Sequence, residues 1–146
     1  MNRPRIVLAE DHPNVAEQLR RLLSDDFDVV AVVSHGEALV KAALRLKPDI
    51  VVTDISMPGM DGFRAAHELA QQMPSLGIVF VTVHDDPALA RKALAIGRGY
   101  VLKTSAGEEL VDAVFAALDG RPFVSASLGP IELFLDSGRA ASSDPS

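Results

Sequence analysis

The chain has no cysteine. That excludes disulfides, thiol nucleophiles and cysteine-based zinc sites, and it fits a reducing compartment. Positive charge is scarce: Lys plus Arg number 14 against 20 Asp plus Glu, a formal net charge of −6. A dedicated nucleic-acid binder needs clustered positive charge to replace counterions, so no nucleic-acid binding is expected of this chain alone. No apolar run approaches the roughly 18 residues that a transmembrane helix requires. The N-terminus carries Arg3 and Arg5 but leads only into Ile6–Ala9 before Glu10 and Asp11. That stretch is too short for a signal peptide. No internal repeat is evident. A soluble cytoplasmic protein with no membrane partner is the expectation.

What is present is ordinary for a globular chain: 48% apolar and 23% charged over 146 residues. Wholesale disorder and collagen-like readings fail on this composition. The length suits one domain with a core large enough to need no staples.

Short apolar runs alternate with helix-period stretches five times. The predicted strands are Ile6–Ala9, Val29–Val33, Ile50–Thr53, Ile78–Thr82 and Tyr100–Leu102. They are Val- and Ile-rich and mostly continuous, as parallel strands buried on both faces are. Asp11-His12-Pro13 opens the first helix, with Pro at the first turn where a missing N–H costs little. Ser34-x-x-Glu37 predicts a capping box for the second helix, which Pro48 stops. Asp61 opens the third, Asp86-Pro87 the fourth and Ser105-x-x-Glu108 the fifth; Pro74, Gly97 and Gly120 follow the ends of the last three. Five such units predict a doubly wound α/β fold with helices on both faces of a parallel sheet. Residues 121–146 read as a linker or tail, with Ser137–Ser146 disordered on composition.

In such sheets ligands sit at the carboxyl ends of the strands. There the sequence places Glu10 and Asp11 after strand one, Asp54 after strand three, Thr82 ending strand four and Lys103 after strand five. Polar residues at any single strand end are routine. Three carboxylates converging on one edge repel one another and call for a cation. An all-oxygen set favours Mg²⁺. A carboxylate beside a metal, a lysine and a hydroxyl can act as nucleophile toward a phosphoryl group. Asp54, followed by the Pro- and Gly-containing loop Ser56–Gly62, suits that role best.

The run Asp54-Ile55-Ser56-Met57-Pro58-Gly59-Met60-Asp61-Gly62 resembles the phosphorylation signature of response-regulator receiver domains of two-component systems. The resemblance spans about residues 5–120 and includes Glu10-Asp11, Thr82 and Lys103 at the family's intervals. Leu8–Pro13, Val83–Asp86 and Arg98–Lys103 are similar to the NarL/LuxR-type subfamily. It implies a CheY-like (flavodoxin-like) five-stranded sheet of order 2-1-3-4-5 with five helices, and a receiver domain over residues 1–120. It implies that Asp54 accepts a phosphoryl group from a sensor histidine kinase or phosphotransfer protein. Asp11, Asp54 and the Ser56 carbonyl would ligate Mg²⁺, with Glu10 acting through water. Thr82 and Lys103 would hold the phosphoryl oxygens, Thr82 and Tyr100 would form the switch, and Ser56 and His84 would tune dephosphorylation. A signalling domain, not an enzyme beyond its own phosphorylation and dephosphorylation, is implied, with a homodimer as a further partner.

The chain departs from the family pattern in four places. The acidic pair is Glu10-Asp11 rather than Asp-Asp. The connection Gly97-Arg98-Gly99-Tyr100 is one residue short, which predicts a restricted Tyr100 or an altered end of the fourth helix. Thr104 stands where many receivers have a cis-proline. Residues 121–146 are too few for a helix-turn-helix, so either a stand-alone receiver or a fragment of a longer regulator is expected. Competing readings are a degenerate receiver that acts by binding alone and an Asp-nucleophile phosphatase. The phosphatase needs a second Asp where Ser56 stands. A dinucleotide module needs a Gly-rich turn where Glu10–Asn14 stands. His12, His35 and His67 read as surface residues, and Met57 and Met60 as loop packing. Ile131, Leu133, Phe134 and Leu135 either pack back on the domain or present an apolar patch to a partner.

Overall fold

The computed structural model describes residues 3–135. It contains strands β1 (Arg5–Ala9), β2 (Asp28–Val33), β3 (Ile50–Thr53), β4 (Gly77–Thr82), β5 (Gly99–Leu102) and β6 (Phe123–Val124). The helices are α1 (Pro13–Ser24), α2 (Gly36–Leu46), α3 (Gly62–Gln72), α4 (Pro87–Ile96) and α5 (Ala106–Leu118). The sheet is parallel throughout, in the order β2-β1-β3-β4-β5-β6. The doubly wound α/β class and the order of the five predicted strands hold. The sheet differs from the expectation by its sixth strand, which two apolar residues are too short to announce by periodicity.

The strands feed two cores by their period of two. Val7 and Ala9 face one side with Leu39, Ala66, Phe80 and Tyr100; Ile6 and Leu8 face the other with Leu19, Leu23, Leu110 and Val114. Every residue of β3, β4 and β5 is buried, which explains their continuous apolar sequences. Edge strand β2 is partly exposed instead.

The two Asp caps behave as their chemistry dictates, and the two Ser patterns do not: Ser105 stands at the N-cap of α5 but makes no side-chain cap bond. Asp61 and Asp86 accept from the Arg64 and Ala88 amides at 2.8 and 2.9 Å. The predicted Ser34 box does not form. His35 is the N-cap, its Nδ1 accepting from Ala38 N at 3.3 Å. The Gly36 amide donates to the Met60 carbonyl at 3.1 Å, and this contact fixes where α2 begins.

The short α4–β5 connection is taken up by Gly97. Its backbone lies against β4 so closely that a Cβ there would sit 2.7 Å from the Ile78 carbonyl oxygen. The Arg98 amide then donates to that carbonyl at 2.8 Å. Helix α4 keeps its full length to Ile96.

Residues 121–135, expected as a linker or tail, fold back onto the domain. After β6 come two 3-10 turns, Ala126–Leu128 and Ile131–Phe134. Phe134 is buried beneath the Arg91 guanidinium, which stands 5.6 Å from its ring centroid, whereas Leu133 is 56% exposed. Packing is thus realised for Phe134, and Leu133 alone of the four stands clear. The expected disorder of Ser137–Ser146 lies outside the described residues. Phe134→Ala is expected to lower the unfolding free energy by about 3 kcal/mol and Leu133→Ala by less than about 0.5. Urea titrations of both variants check this, and equal losses would show that the segment is not docked.

Candidate functional site at the carboxyl edge of the sheet

Four strand ends meet at one edge. Glu10 and Asp11 follow β1, Asp54 follows β3, Thr82 closes β4, and Lys103 follows β5 in a 3-10 turn, Lys103–Ser105. Glu10, Asp54 and Thr82 are buried. Such burial of charge is tolerable only with a counter-charge. Lys103 supplies it: its Nζ lies 2.7 Å from Glu10 Oε1 and 2.8 Å from Asp54 Oδ2. The other Asp54 oxygen accepts the Ile55 amide at 2.7 Å and the Ser56 amide at 3.4 Å.

These contacts set the protonation states. Burial pushes the Glu10 carboxyl up, but Lys103 and the His12 ring and amide outweigh it and leave the group below its ordinary value. Burial pushes the Lys103 ammonium down, and its contacts with Asp54 and Glu10 more than offset that, so it stays charged. His12, bonded to Glu10 and facing the Asp11 charge, is raised above its ordinary value.

The loop after Asp54 is held by Gly62. Its amide donates to the Ile55 carbonyl at 2.7 Å, and a Cβ would collide with the Asp54 carbonyl oxygen. Only glycine permits that approach. Met57 is buried in the core below the loop, and Met60 packs against the same core.

Beyond the charged cluster, Thr82 Oγ1 accepts the His84 amide at 3.2 Å. The Tyr100 hydroxyl donates to the His84 carbonyl at 2.5 Å. Ser56 Oγ and His84 Nε2 lie 3.2 Å apart. One residue, His84, therefore touches Thr82, Tyr100 and Ser56, so the predicted switch and tuning positions form a single connected group. Tyr100 is fully buried in one inward orientation.

The oxygen-rich set fits a hard cation. Asp11 Oδ1 is buried and makes no hydrogen bond, with only the His12 ring nitrogen close by at 3.2 Å, and ligand atoms of Glu10, Asp11 and His12 fall within 4.8 Å of one another. Carboxylate oxygens set side by side in this way are the donors that a hard cation such as Mg²⁺ takes. His12 is largely exposed at the start of α1, as expected, and its Nδ1 lies 3.0 Å from Glu10 Oε2 and 3.2 Å from Asp11 Oδ1. His35 and His67 are exposed, as expected. Ser125 and Glu109, which brace β5 from outside, carried no legible sequence signal.

Sheet order and side-chain cluster together define a CheY-like α/β signalling fold. Residues 6–115 match the response regulator receiver domain family, and the chain belongs to that family, a component of two-component systems. It is 34% identical over 124 residues to response regulator GacA of Pseudomonas aeruginosa, covering 83% of this chain and 58% of GacA. It is 31% identical over 126 residues to the transcriptional regulatory protein DegU of Brevibacillus brevis, covering 84% of this chain and 53% of DegU. The chain thus spans little more than half the length of these relatives. Among solved structures, a LuxR-family response regulator from Aurantimonas superposes with a TM-score of 0.84 at 33% identity, covering 95% of this chain and 99% of that one. The receiver domain of NarL from Mycobacterium tuberculosis gives 0.77 at 32% identity, covering 83% and 100%. Among the described residues no helix is long and apolar enough to cross a membrane.

Burial, with Asp86 and Asp85 nearby, pushes the Tyr100 phenol from 10.0 up to about 12. A raised folded-state value means that its contribution is fully present below pH 10 and is lost as pH rises toward 12. That contribution amounts to about 3 kcal/mol. Tyr100 is the only tyrosine and there is no tryptophan, so tyrosinate absorbance reports on this residue alone. The expected result is a native titration midpoint near 12. A midpoint at the ordinary value would place the ring in solvent.

Proposed function

We propose that the chain is a phospho-accepting receiver, in which Asp54 takes a phosphoryl group from a phosphohistidine of a sensor histidine kinase or phosphotransfer protein. The observation that carries this reading is the buried Asp54 carboxylate, held by the Ile55 amide on one oxygen and by Lys103 on the other. That carboxylate is oriented and desolvated before any donor arrives, which is what in-line phosphoryl transfer needs. An Asp54 oxygen forms the new P–O bond, the P–N bond breaks, and its electron pair leaves with the donor imidazole. Lys103 shifts its ammonium from Asp54 toward a phosphoryl oxygen, and the Thr82 hydroxyl takes another. Glu10, Asp11, Asp54 and the Ser56 carbonyl would hold Mg²⁺, Glu10 through water. When bound, the ion supplies positive charge against the phosphoryl oxygens.

The product adds about −1.5 to −2 charges at this edge. Drawing Thr82 inward pulls on His84, and through the His84 carbonyl on Tyr100. Thr82 and Tyr100 are thereby the switch. Ser56 and His84, in contact across the mouth, govern access of water to the acyl phosphate. Residues 1–120 form the receiver unit, and the signal passes to a partner or to a DNA-binding domain of a longer regulator. A homodimer is the second proposed partner, since RcsB, 30% identical, has been solved as dimers bound to DNA. With a net charge of −6, this chain alone binds no nucleic acid.

With Mg²⁺ and a small acyl-phosphate donor, the wild type is expected to gain one acid-labile phosphoryl group by intact mass and Asp54→Asn none. Asp11→Asn should slow labelling more than Glu10→Gln, because it removes a direct ligand from a hard cation. Equal labelling of wild type and Asp54→Asn would refute the assignment.

A further inference from the structure

Strand β5 ends at Leu102, one residue before Lys103. Its outer edge is covered by β6 for only two residues. The pairing nevertheless continues one step further, through Ser125. The Ser125 amide donates to the Tyr100 carbonyl at 3.0 Å, as in any parallel ladder. The next bond would run from the Leu102 amide to the Ser125 carbonyl, but that carbonyl is engaged by the Leu128 amide at 3.0 Å as the chain turns. The Ser125 hydroxyl replaces it: Oγ accepts from Leu102 N at 2.8 Å.

A hydroxyl has one proton and a rotor that must be fixed before it can act as a reliable acceptor. Glu109 of α5 fixes it. Its Oε1 takes the Ser125 hydroxyl proton at 2.5 Å, and its Oε2 accepts the Ala126 amide at 3.1 Å. Ser125 has no solvent exposure and Leu102 is buried, so water cannot substitute if the hydroxyl is removed. Ser125 thus holds the β5 backbone on both sides of Val101, between Tyr100 and Lys103.

A hydroxyl that merely ended a strand would have no reason to matter at Asp54. In this fold the peptide it holds leads directly into the lysine that joins Asp54 to Glu10. We propose that Ser125 and Glu109 are a positioning pair for Lys103, and that through them the end of β6, rather than the segment beyond it, is mechanically coupled to the Asp54 site. The coupling itself is read off geometry, while its consequence for phosphorylation rests on Asp54 being the phosphoryl acceptor.

The test uses the full chain with Ser125→Ala, Ser125→Thr, Glu109→Ala and Phe134→Ala. Two quantities are read: proton exchange of the Lys103 ammonium with water by ¹⁵N NMR, and Mg²⁺-dependent labelling by a small acyl-phosphate donor. Ser125→Ala is expected to speed ammonium exchange roughly tenfold, the equivalent of one lost hydrogen bond. It should slow labelling several-fold through the maximal rate, with half-saturation by donor unchanged. Ser125→Thr restores both, and Glu109→Ala, which frees the rotor, falls between. Phe134→Ala loosens the same segment without touching the hydroxyl and leaves both at wild-type values. The proposal is overturned if Ser125→Ala leaves the Lys103 signal unchanged, or if Phe134→Ala moves it equally. Should Ser125→Ala not fold, an unchanged Lys103 signal in Glu109→Ala overturns it. If the wild type itself takes no label, the acceptor reading fails, and ammonium exchange still decides the coupling.

Discussion

The Lys103 ammonium between Glu10 and Asp54 is the interaction on which this edge of the molecule depends. Three parallel strands meet there with buried polar groups, and two of those groups are carboxylates with almost no exposure. Removed from water, two like charges repel and would force the strands apart. A single cation within 2.8 Å of both supplies the counter-charge that lets them lie buried together. On the proposed phospho-acceptor reading, a phosphoryl group on Asp54 would compete for the same ammonium.

The rest of the fold aims that lysine. Burial of β5 on both faces fixes Val101 and Leu102, the Gly97 approach to β4 sets where the strand begins, and Ser125 sets where it ends. The one-residue shortening before Tyr100 is absorbed by glycine at the single place where a side chain would meet a β4 carbonyl. Helix α4 runs to Ile96, and Tyr100 is buried. The segment 121–135 then covers the β5 edge and packs Phe134 against Arg91 of α4.

Much of this was legible in the sequence, and for physical reasons. Continuous Val/Ile runs mark strands buried twice over, and β3 matches its predicted bounds to the residue. Asp61 and Asp86 announced helix starts because a short acidic side chain reaches the amides two or three residues on. The charged cluster was legible because strand ends of a doubly wound sheet converge. Three features were not. The start of α2 is set by a tertiary contact, Gly36 with Met60, which overrides the Ser34 pattern. Strand β6 is too short to carry a period. The Ser125–Glu109 pair joins residues on separate elements by a side chain acting as backbone, and no local spacing encodes that.

The coupling between Lys103 and Asp54 is measured most directly by a double-mutant cycle on unfolding free energy, using Lys103→Met, Asp54→Asn and both together. Lys103→Met alone strands buried carboxylates without a counter-charge and is expected to cost about 3 kcal/mol. Adding Asp54→Asn removes one of those charges, so the double variant should be more stable than the sum of the singles by about 2 kcal/mol. Additivity within about 0.5 kcal/mol would mean that the two groups do not depend on each other, and would contradict the role of Lys103 as the counter-charge to buried Asp54.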